Sequence, residues 1–157
     1  MGSELRYLRK GEDLRLALSK ATVEHVESHL TRCNSAFDPP LSARLDIACY
    51  AARLHARANC FEAWVGERLV GLVAAYIDNS SGGVGFISNV SVEGDWVGRG
   101  IASMLLAECR DYAKARGLAC LKLEVSASNA RAMELYERFG FVADGESGGF
   151  QVMNLVL

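Results

Sequence analysis

Val84-Gly85-Phe86-Ile87-Ser88-Asn89-Val90-Ser91-Val92, then Glu93-Gly94-Asp95-Trp96-Val97-Gly98-Arg99-Gly100, then Ile101-Ala102-Ser103, reads as a strand, a glycine-bearing turn and the start of a helix. The first nine residues are apolar and β-branched in the way strands favour. After Gly98 and Gly100, the residues Ile101, Leu105, Cys109 and Tyr112 recur at helical spacing to about Arg116, and Gly117 stops the helix. Residues 118–125 form a second strand. Strand, helix and strand in succession imply a parallel pair joined by a crossover helix. Backbone N–H groups at a helix start, with no bulky side chains in front of them, make a natural seat for phosphate.

Working outward, residues 61–65, a tight Gly66-Glu67-Arg68 turn and residues 69–77 read as a hairpin. A second turn, Asn79-Ser80-Ser81-Gly82-Gly83, leads into the strand at 84–92. Toward the N-terminus, alternation over residues 5–9 suggests a first strand. Leu14, Leu16, Ala17, Ala21, Val23, Val26 and Leu30 suggest a helix over 12–31. Pro39 and Pro40 mark a loop, and a further helix is expected over 41–57. Downstream, residues 126–129 form an N-cap-like turn, and a helix over 130–139 ends at Gly140. A short extended piece at 141–143 and a last strand at 150–157 complete the chain. Hairpins on either side of one parallel pair give a mixed α+β sheet in a single domain, 1–157.

The 157 residues are 50% hydrophobic and 23% charged with a net charge of −2, which suits a globular domain and disfavours nucleic acid as a partner. No apolar run reaches membrane-span length, and Met1-Gly2-Ser3-Glu4-Leu5-Arg6 lacks the apolar core of a secretory signal. A cytoplasmic protein with no membrane partner is the expectation. Cys33, Cys49, Cys60, Cys109 and Cys120 are odd in number and scattered, and read as reduced, mostly buried small hydrophobes.

Three kinds of site place glycines between a strand and a helix. A P-loop needs Gly-Lys-Ser/Thr, whereas Ile101 and Ala102 follow Gly100 here. A dinucleotide fingerprint is nearer, because residues 98–103 read G-x-G-x-x-S and Glu124 stands near the end of the next strand. That pattern lacks its third glycine, and the turn from Val92 to Gly98 is long for it.

The third kind follows from what lies downstream. Leu121-Lys122-Leu123-Glu124-Val125-Ser126-Ala127-Ser128-Asn129-Ala130-Arg131-Ala132-Met133-Glu134-Leu135-Tyr136-Glu137-Arg138-Phe139-Gly140-Phe141 resembles the Leu-x-Val…Asn-x-x-Ala-x-x-Leu-Tyr-x-x-x-Gly-Phe element of the GNAT superfamily, the acyl-CoA-dependent N-acyltransferases. The family's Gln/Arg-x-x-Gly-x-Gly/Ala loop matches at Gly100 and Ala102. Val97 stands where Gln or Arg is usual, and Gly94 where a proline often precedes the loop. The similarity covers about 84–143.

The resemblance implies a mixed, mostly antiparallel central sheet with helices on both faces and a splayed parallel strand pair. It also implies an N-acetyltransferase that moves the acetyl group of acetyl-CoA to a primary amine by direct attack, without a metal. The pyrophosphate would sit on the backbone of Val97, Gly98, Arg99, Gly100, Ile101 and Ala102, with Ser103 nearby. The pantetheine would lie along residues 89–92, where Asn89, Val90 and Val92 face it and the Val90 N–H is the oxyanion donor. Asn129 would bond the pantetheine arm; a plain helix N-cap is its other reading. Tyr136 matches the tyrosine that faces the leaving thiolate, and core packing is the alternative. Glu124 stands where ribosomal-protein N-terminal acetyltransferases use a glutamate. As a partly buried carboxylate it would serve as base directly or through a positioned water, and an exposed residue paired near Lys122 is the alternative.

The acceptor, a small-molecule or peptide amine, stays open among peptide N-termini, lysine, polyamines, aminoglycosides and small metabolites. A homodimer is common in the family and has no signal of its own here. Two other functions compete: a catalytically silent CoA-binding sensor module and a nicotinamide-nucleotide enzyme. His25, His29 and Cys33, spaced i, i+4, i+8, lack a further ligand pattern and read as a solvated helix face. Trp96 packs on the loop or near the cofactor, packing being the default, and Asp38, Asp144 and Glu146 either rim the acceptor site or are solvated loop residues.

Overall fold

The computed structural model describes residues 13–78 and 82–157. One seven-stranded sheet has the order β1-β2-β3-β4-β5-β7-β6. Its strands are β1 (Leu14–Leu18), β2 (Asn59–Val65), β3 (Arg68–Tyr76), β4 (Val84–Val92), β5 (Cys120–Ser126), β6 (Val142–Ser147) and β7 (Phe150–Val156). The α-helices among the described residues are α1 (Val23–Cys33), α2 (Ile47–Arg57), α3 (Ile101–Ala115) and α4 (Ala130–Phe139). Only β4 and β5 pair in parallel; the other neighbours are antiparallel. The expected mixed sheet is therefore present, and a doubly wound parallel sheet, which a dinucleotide site would sit on, is not.

Two apolar layers hold the sheet. On one face Val26 and Leu30 of α1 and Tyr50, Ala51 and Leu54 of α2 pack on Trp64, Leu72 and Ala74. On the other, Ile101, Leu105 and Cys109 of α3 and Tyr136 of α4 pack on Val73, Ile87, Leu123 and Val125. Because both faces of β3 are covered, its sequence is an unbroken apolar run from Leu69 to Ala75, all of it buried. Each such Leu or Val contributes about 1.5–3 kcal/mol.

Gly71 lies in this run for a steric reason. A Cβ there would stand 2.7 Å from Ile101 Cγ2 and 3.2 Å from Leu105 Cδ1. The first turn of α3 can thus rest directly on the sheet, which fixes where the preceding glycine turn ends.

The C-terminal half follows the sequence closely: β4 and α4 have the expected bounds, and the 61–77 hairpin is β2–β3. The N-terminal third does not. The strand expected at 5–9 lies outside the described residues. Residues 12–31 are not one helix: Leu14–Leu18 is β1, Ser19 has φ 50°, and α1 begins only after the Thr22 N-cap. Leu14 and Leu16 fit a period of two as well as one of 3.6, and antiparallel pairing with Phe61–Val65 decides between them. Similarly, Leu41–Ala43 is a separate 3-10 turn, and α2 starts at Ile47 behind the Asp46 cap, whose Oδ1 accepts the Cys49 N–H at 2.8 Å. All five cysteines are free; Cys33, Cys60 and Cys109 are buried, whereas Cys49 is exposed.

Gly71→Ala must displace the stiff, β-branched Ile101. The expected cost is about 1–3 kcal/mol of stability, read by urea denaturation. An unchanged denaturation midpoint would remove Gly71 as the spacer for α3.

Candidate active site

The parallel pairing of β4 with β5 is short. It runs from Val84↔Cys120 to Ile87↔Leu123 and stops. Beyond it β4 continues along β3 to Gly71↔Val92, while β5 continues along β7 to Ser126↔Phe150. The two strands diverge, and the β5-facing edge of residues 88–92 has no strand partner among the described residues.

Divergence begins at a β-bulge. Asn89 pairs with Ala74 and Ile87 with Ala75, so Ser88 is an extra residue on β4. The bulge shifts the alternation of the strand: Ile87, Val90 and Val92 face the α3/α4 layer, whereas Asn89 and Ser91 are buried on the α1/α2 side. Tyr50 of α2 clamps this position. Its hydroxyl donates to the Ser88 carbonyl at 3.0 Å and lies 2.6 Å from Ser88 Oγ.

A cavity of about 390 Å³ fills the divergence and reaches both faces of the sheet. Asn89, Val90, Val92, Glu124, Asn129 and Tyr136 all line it. Tyr136 approaches from the α3/α4 layer, is buried, and has no hydrogen-bond partner for its hydroxyl among the described residues. Burial pushes its phenol above the ordinary range, so the proton stays on oxygen. Glu124 alternates with the buried Leu123 and Val125 and is exposed at the mouth, not partly buried as expected. Its neighbour Lys122 pairs instead with Asp144, 3.1 Å away. Asn129 caps α4, its Oδ1 accepting the Ala132 N–H at 3.2 Å, and it also lines the cavity. Of the three acids expected at the rim, Asp38 lines the cavity and accepts the Ser128 hydroxyl, whereas Asp144 and Glu146 lie on β6 outside it.

The glycine turn follows Val92, the last residue of β4, and does not line this cavity. Gly98 and Gly100 have φ of 83° and 80°, a left-handed conformation that glycine adopts without strain. Gly100 is the N-cap of α3 and supplies no side chain to it, which leaves the N–H groups of Ile101, Ala102 and Ser103 without intrahelical acceptors. Arg99 folds back, its guanidinium 4.2 Å from the Trp96 ring centre and 2.9 Å from the Asp95 carbonyl, and Val97 is exposed. These features fit a diphosphate bound by backbone donors, and the free edge of β4 fits an extended amide chain.

α1 carries a feature the sequence reading misplaced. His29 is not on a solvated face: it is fully buried, with Nδ1 3.0 Å from the Leu69 carbonyl and Nε2 2.8 Å from Ser91 Oγ. Ser91 Oγ lies 2.8 Å from Asn89 Oδ1 as well, which links the imidazole to the cavity wall. Burial pushes the imidazole down to about 4, against the opposing pull of the Leu69 hydrogen bond. Nearby, Glu93 pairs with Arg32 and Arg68, and the Arg68 hydrogen bond holds its carboxyl below the usual range. His25 closes a capping box with Thr22, and Cys33 Sγ lies 3.7 Å from His29 Nε2. Tyr50 was the residue most open to discovery from sequence, because it shares the apolar face of α2 with Ala51 and Leu54, and a buried phenol needs a hydrogen-bond partner.

Comparison with known proteins bears on this arrangement. The profile described as the acetyltransferase (GNAT) family matches residues 23–141. The [ribosomal protein bS18]-alanine N-acetyltransferase of Salmonella typhimurium is 47% identical over 53 residues, which cover 34% of this chain and 36% of that protein. The match thus spans only about a third of that relative's length. The structure of PH1933 from Pyrococcus horikoshii superposes with a TM-score of 0.76 at 26% identity, covering 92% of this chain and 99% of that one. PaiA N-acetyltransferase from Thermoplasma acidophilum, solved with coenzyme A, has a TM-score of 0.71 at 14% identity over 91% of this chain and 99% of that one, and shares the fold.

The buried imidazole makes stability depend on pH. The unfolded chain binds a proton at His29 near pH 6.5 and the folded chain only near 4, so stability is full above 6.5 and declines as pH falls toward 4. Between pH 6.5 and 5 the expected loss is about 1.5 kcal/mol. Urea denaturation at both pH values should show this loss in the wild type and a clearly smaller one in His29→Gln.

Proposed function

The chain belongs to the acetyltransferase (GNAT) family, and from that membership we propose that it transfers the acetyl group of acetyl-CoA to a primary amine. The observation that carries the reading is the cavity at the β4–β5 divergence. It brings Tyr136, Glu124 and the free strand edge at 89–92 together, and the turn that follows this edge leads to an uncapped helix start.

In this reading, acetyl-CoA supplies an activated thioester carbonyl and a sulfur leaving group. The N–H groups of Gly98, Arg99, Gly100, Ile101 and Ala102, with Ser103 beside them, hold the diphosphate, while the Val97 N–H donates to the Gly94 carbonyl at 3.4 Å. Residues 89–92 take the pantetheine as an added strand, in the manner of β-augmentation, and Asn129 bonds its amide chain. The Val90 N–H faces the carbonyl oxygen and stabilises the charge that develops there. Val97 costs a side-chain contact to the phosphates and leaves the backbone donors in place.

Glu124, at the open end, accepts the proton that the ammonium must lose before nitrogen can form its bond to the acetyl carbon, directly or through a water. Tyr136 stands on the opposite face and donates a hydrogen bond to the sulfur as the carbon–sulfur bond breaks, and the sulfur takes up the second proton that the attacking nitrogen releases. A phenol kept neutral by burial is a hydrogen-bond donor throughout, which suits a sulfur that gains charge.

Tyr136→Phe should lower kcat about 10- to 100-fold, the worth of one hydrogen bond to a charged atom, with the KM for acetyl-CoA changed less than about threefold. The assay is thiol release across a panel of amines. An unaltered kcat at saturating amine would remove Tyr136 from the chemistry, and acetyl-CoA binding with no thiol release from any amine would leave a silent binding module instead.

A further inference from the structure

Besides Glu124, the amine side of the cavity carries charges that the transfer itself does not use. Four ionisable side chains of Asp, Glu and Arg line it: Asp38, Arg44, Arg53 and Glu124. Asp38 is engaged by Ser128. The other three have no ion-pair partner among the described residues.

Both arginines are held in place by aromatic rings instead of carboxylates. Arg44 follows the Leu41–Ala43 turn, and its Cζ lies 4.6 Å from the centre of the Phe150 ring. Phe150 pairs with Ser126, two residues beyond Glu124 on β5. Arg53 stands one helical turn after Tyr50, and its Cζ lies 5.3 Å from that ring, whose hydroxyl is fixed to Ser88 on β4. The two guanidinium groups therefore flank the divergence from its β5 and β4 sides. A guanidinium that rests against a ring and has no carboxylate partner keeps its N–H groups for a carboxylate. Between them the wall is apolar, with Phe37, Leu41 and Leu45.

Resting on the transferase reading above, we propose that the acceptor is a zwitterion. It is a primary amine on a molecule that also carries a carboxylate, with its nitrogen toward Glu124 and its carboxylate held by Arg44 and Arg53. An amino acid or short peptide with a free carboxylate and an apolar side chain has this chemistry. A polyamine or aminoglycoside brings further positive charge against two arginines and has no carboxylate to offer them.

The test uses the full chain, acetyl-CoA and matched pairs: L-leucine against L-leucinamide, and glycyl-L-leucine against glycyl-L-leucinamide, with spermidine as the polycation. In at least one pair the acid should exceed its amide and spermidine in kcat/KM by about tenfold or more, the worth of one charge-assisted hydrogen bond. Arg44→Gln and Arg53→Gln should each bring that ratio down toward one, mainly through KM. Calorimetric binding of N-acetyl-L-leucine, which keeps the carboxylate but has no amine to acetylate, gives a readout independent of turnover, and the two variants should weaken it. Turnover with amides or spermidine equal to or better than the acids overturns the proposal, as does binding of N-acetyl-L-leucine that is absent or indifferent to both arginines. Binding that needs both arginines, without thiol release from any amine, upholds the carboxylate seat and removes the transferase reading.

Discussion

The site depends on one extra residue in one strand. Ser88 is inserted into β4 where its pairing with β5 ends, and a bulge of this kind bends its strand away from a neighbour. Without the extra residue, Asn89 would fall on the same face as Ile87, and the polar and apolar sides of β4 would be exchanged beyond that point. The hydrogen bond from Tyr50 to the Ser88 carbonyl holds the bulge from the α1/α2 layer. A helix packed on one face thereby sets the width of an opening that runs through the sheet.

An opening through a sheet separates two kinds of chemistry. Tyr136 reaches it from a dry, apolar layer beside Phe141, where a phenol stays protonated. Glu124 reaches it from the opposite, solvated side, where its carboxylate is exposed to water. Glu124 points away from the α3/α4 layer because it alternates with Leu123 and Val125, which face it, whereas Tyr136 comes to the opening from α4 within that layer. The sheet keeps them from pairing with each other, and the cavity lets both reach the same atoms.

How much of this the sequence disclosed follows from where each piece of information resides. β4, the glycine turn, α3, β5 and α4 are each specified by local signals: β-branched runs, left-handed glycines, the Asn129 cap and the Gly140 stop. Their order was enough to give the parallel pair. β1 was misread because Leu14, Leu16 and Ala17 suit two periods, and the choice was made by β2, more than forty residues away. His29 was misread for a related reason. Its partners, Leu69 and Ser91, lie on β3 and β4, and a helix period shows which side a residue is on but not what meets it there. The bulge had no sequence signal at all, since Ser88 is an ordinary strand residue until its pairing is known.

The same contrast explains why the donor side of the site was legible and the amine side was not. Backbone N–H groups and a free strand edge recognise a diphosphate and an amide chain, and the turn that presents them must have glycines at fixed positions. Such a constraint leaves a pattern in one contiguous stretch. The amine side is built from side chains on the loops around the Leu41–Ala43 turn, α2, β5 and β7, and its charged groups are each kept in place by a different neighbour: Arg44 by Phe150, Arg53 by Tyr50, Asp38 by Ser128. No spacing connects these residues, because what connects them is the meeting of separate elements at one opening. A chain can therefore keep its donor loop almost unaltered while its choice of amine changes through single side chains. In the reading proposed above, two arginines resting on aromatic rings would act in that way, setting the charge an acceptor carries and leaving the backbone of the glycine turn untouched.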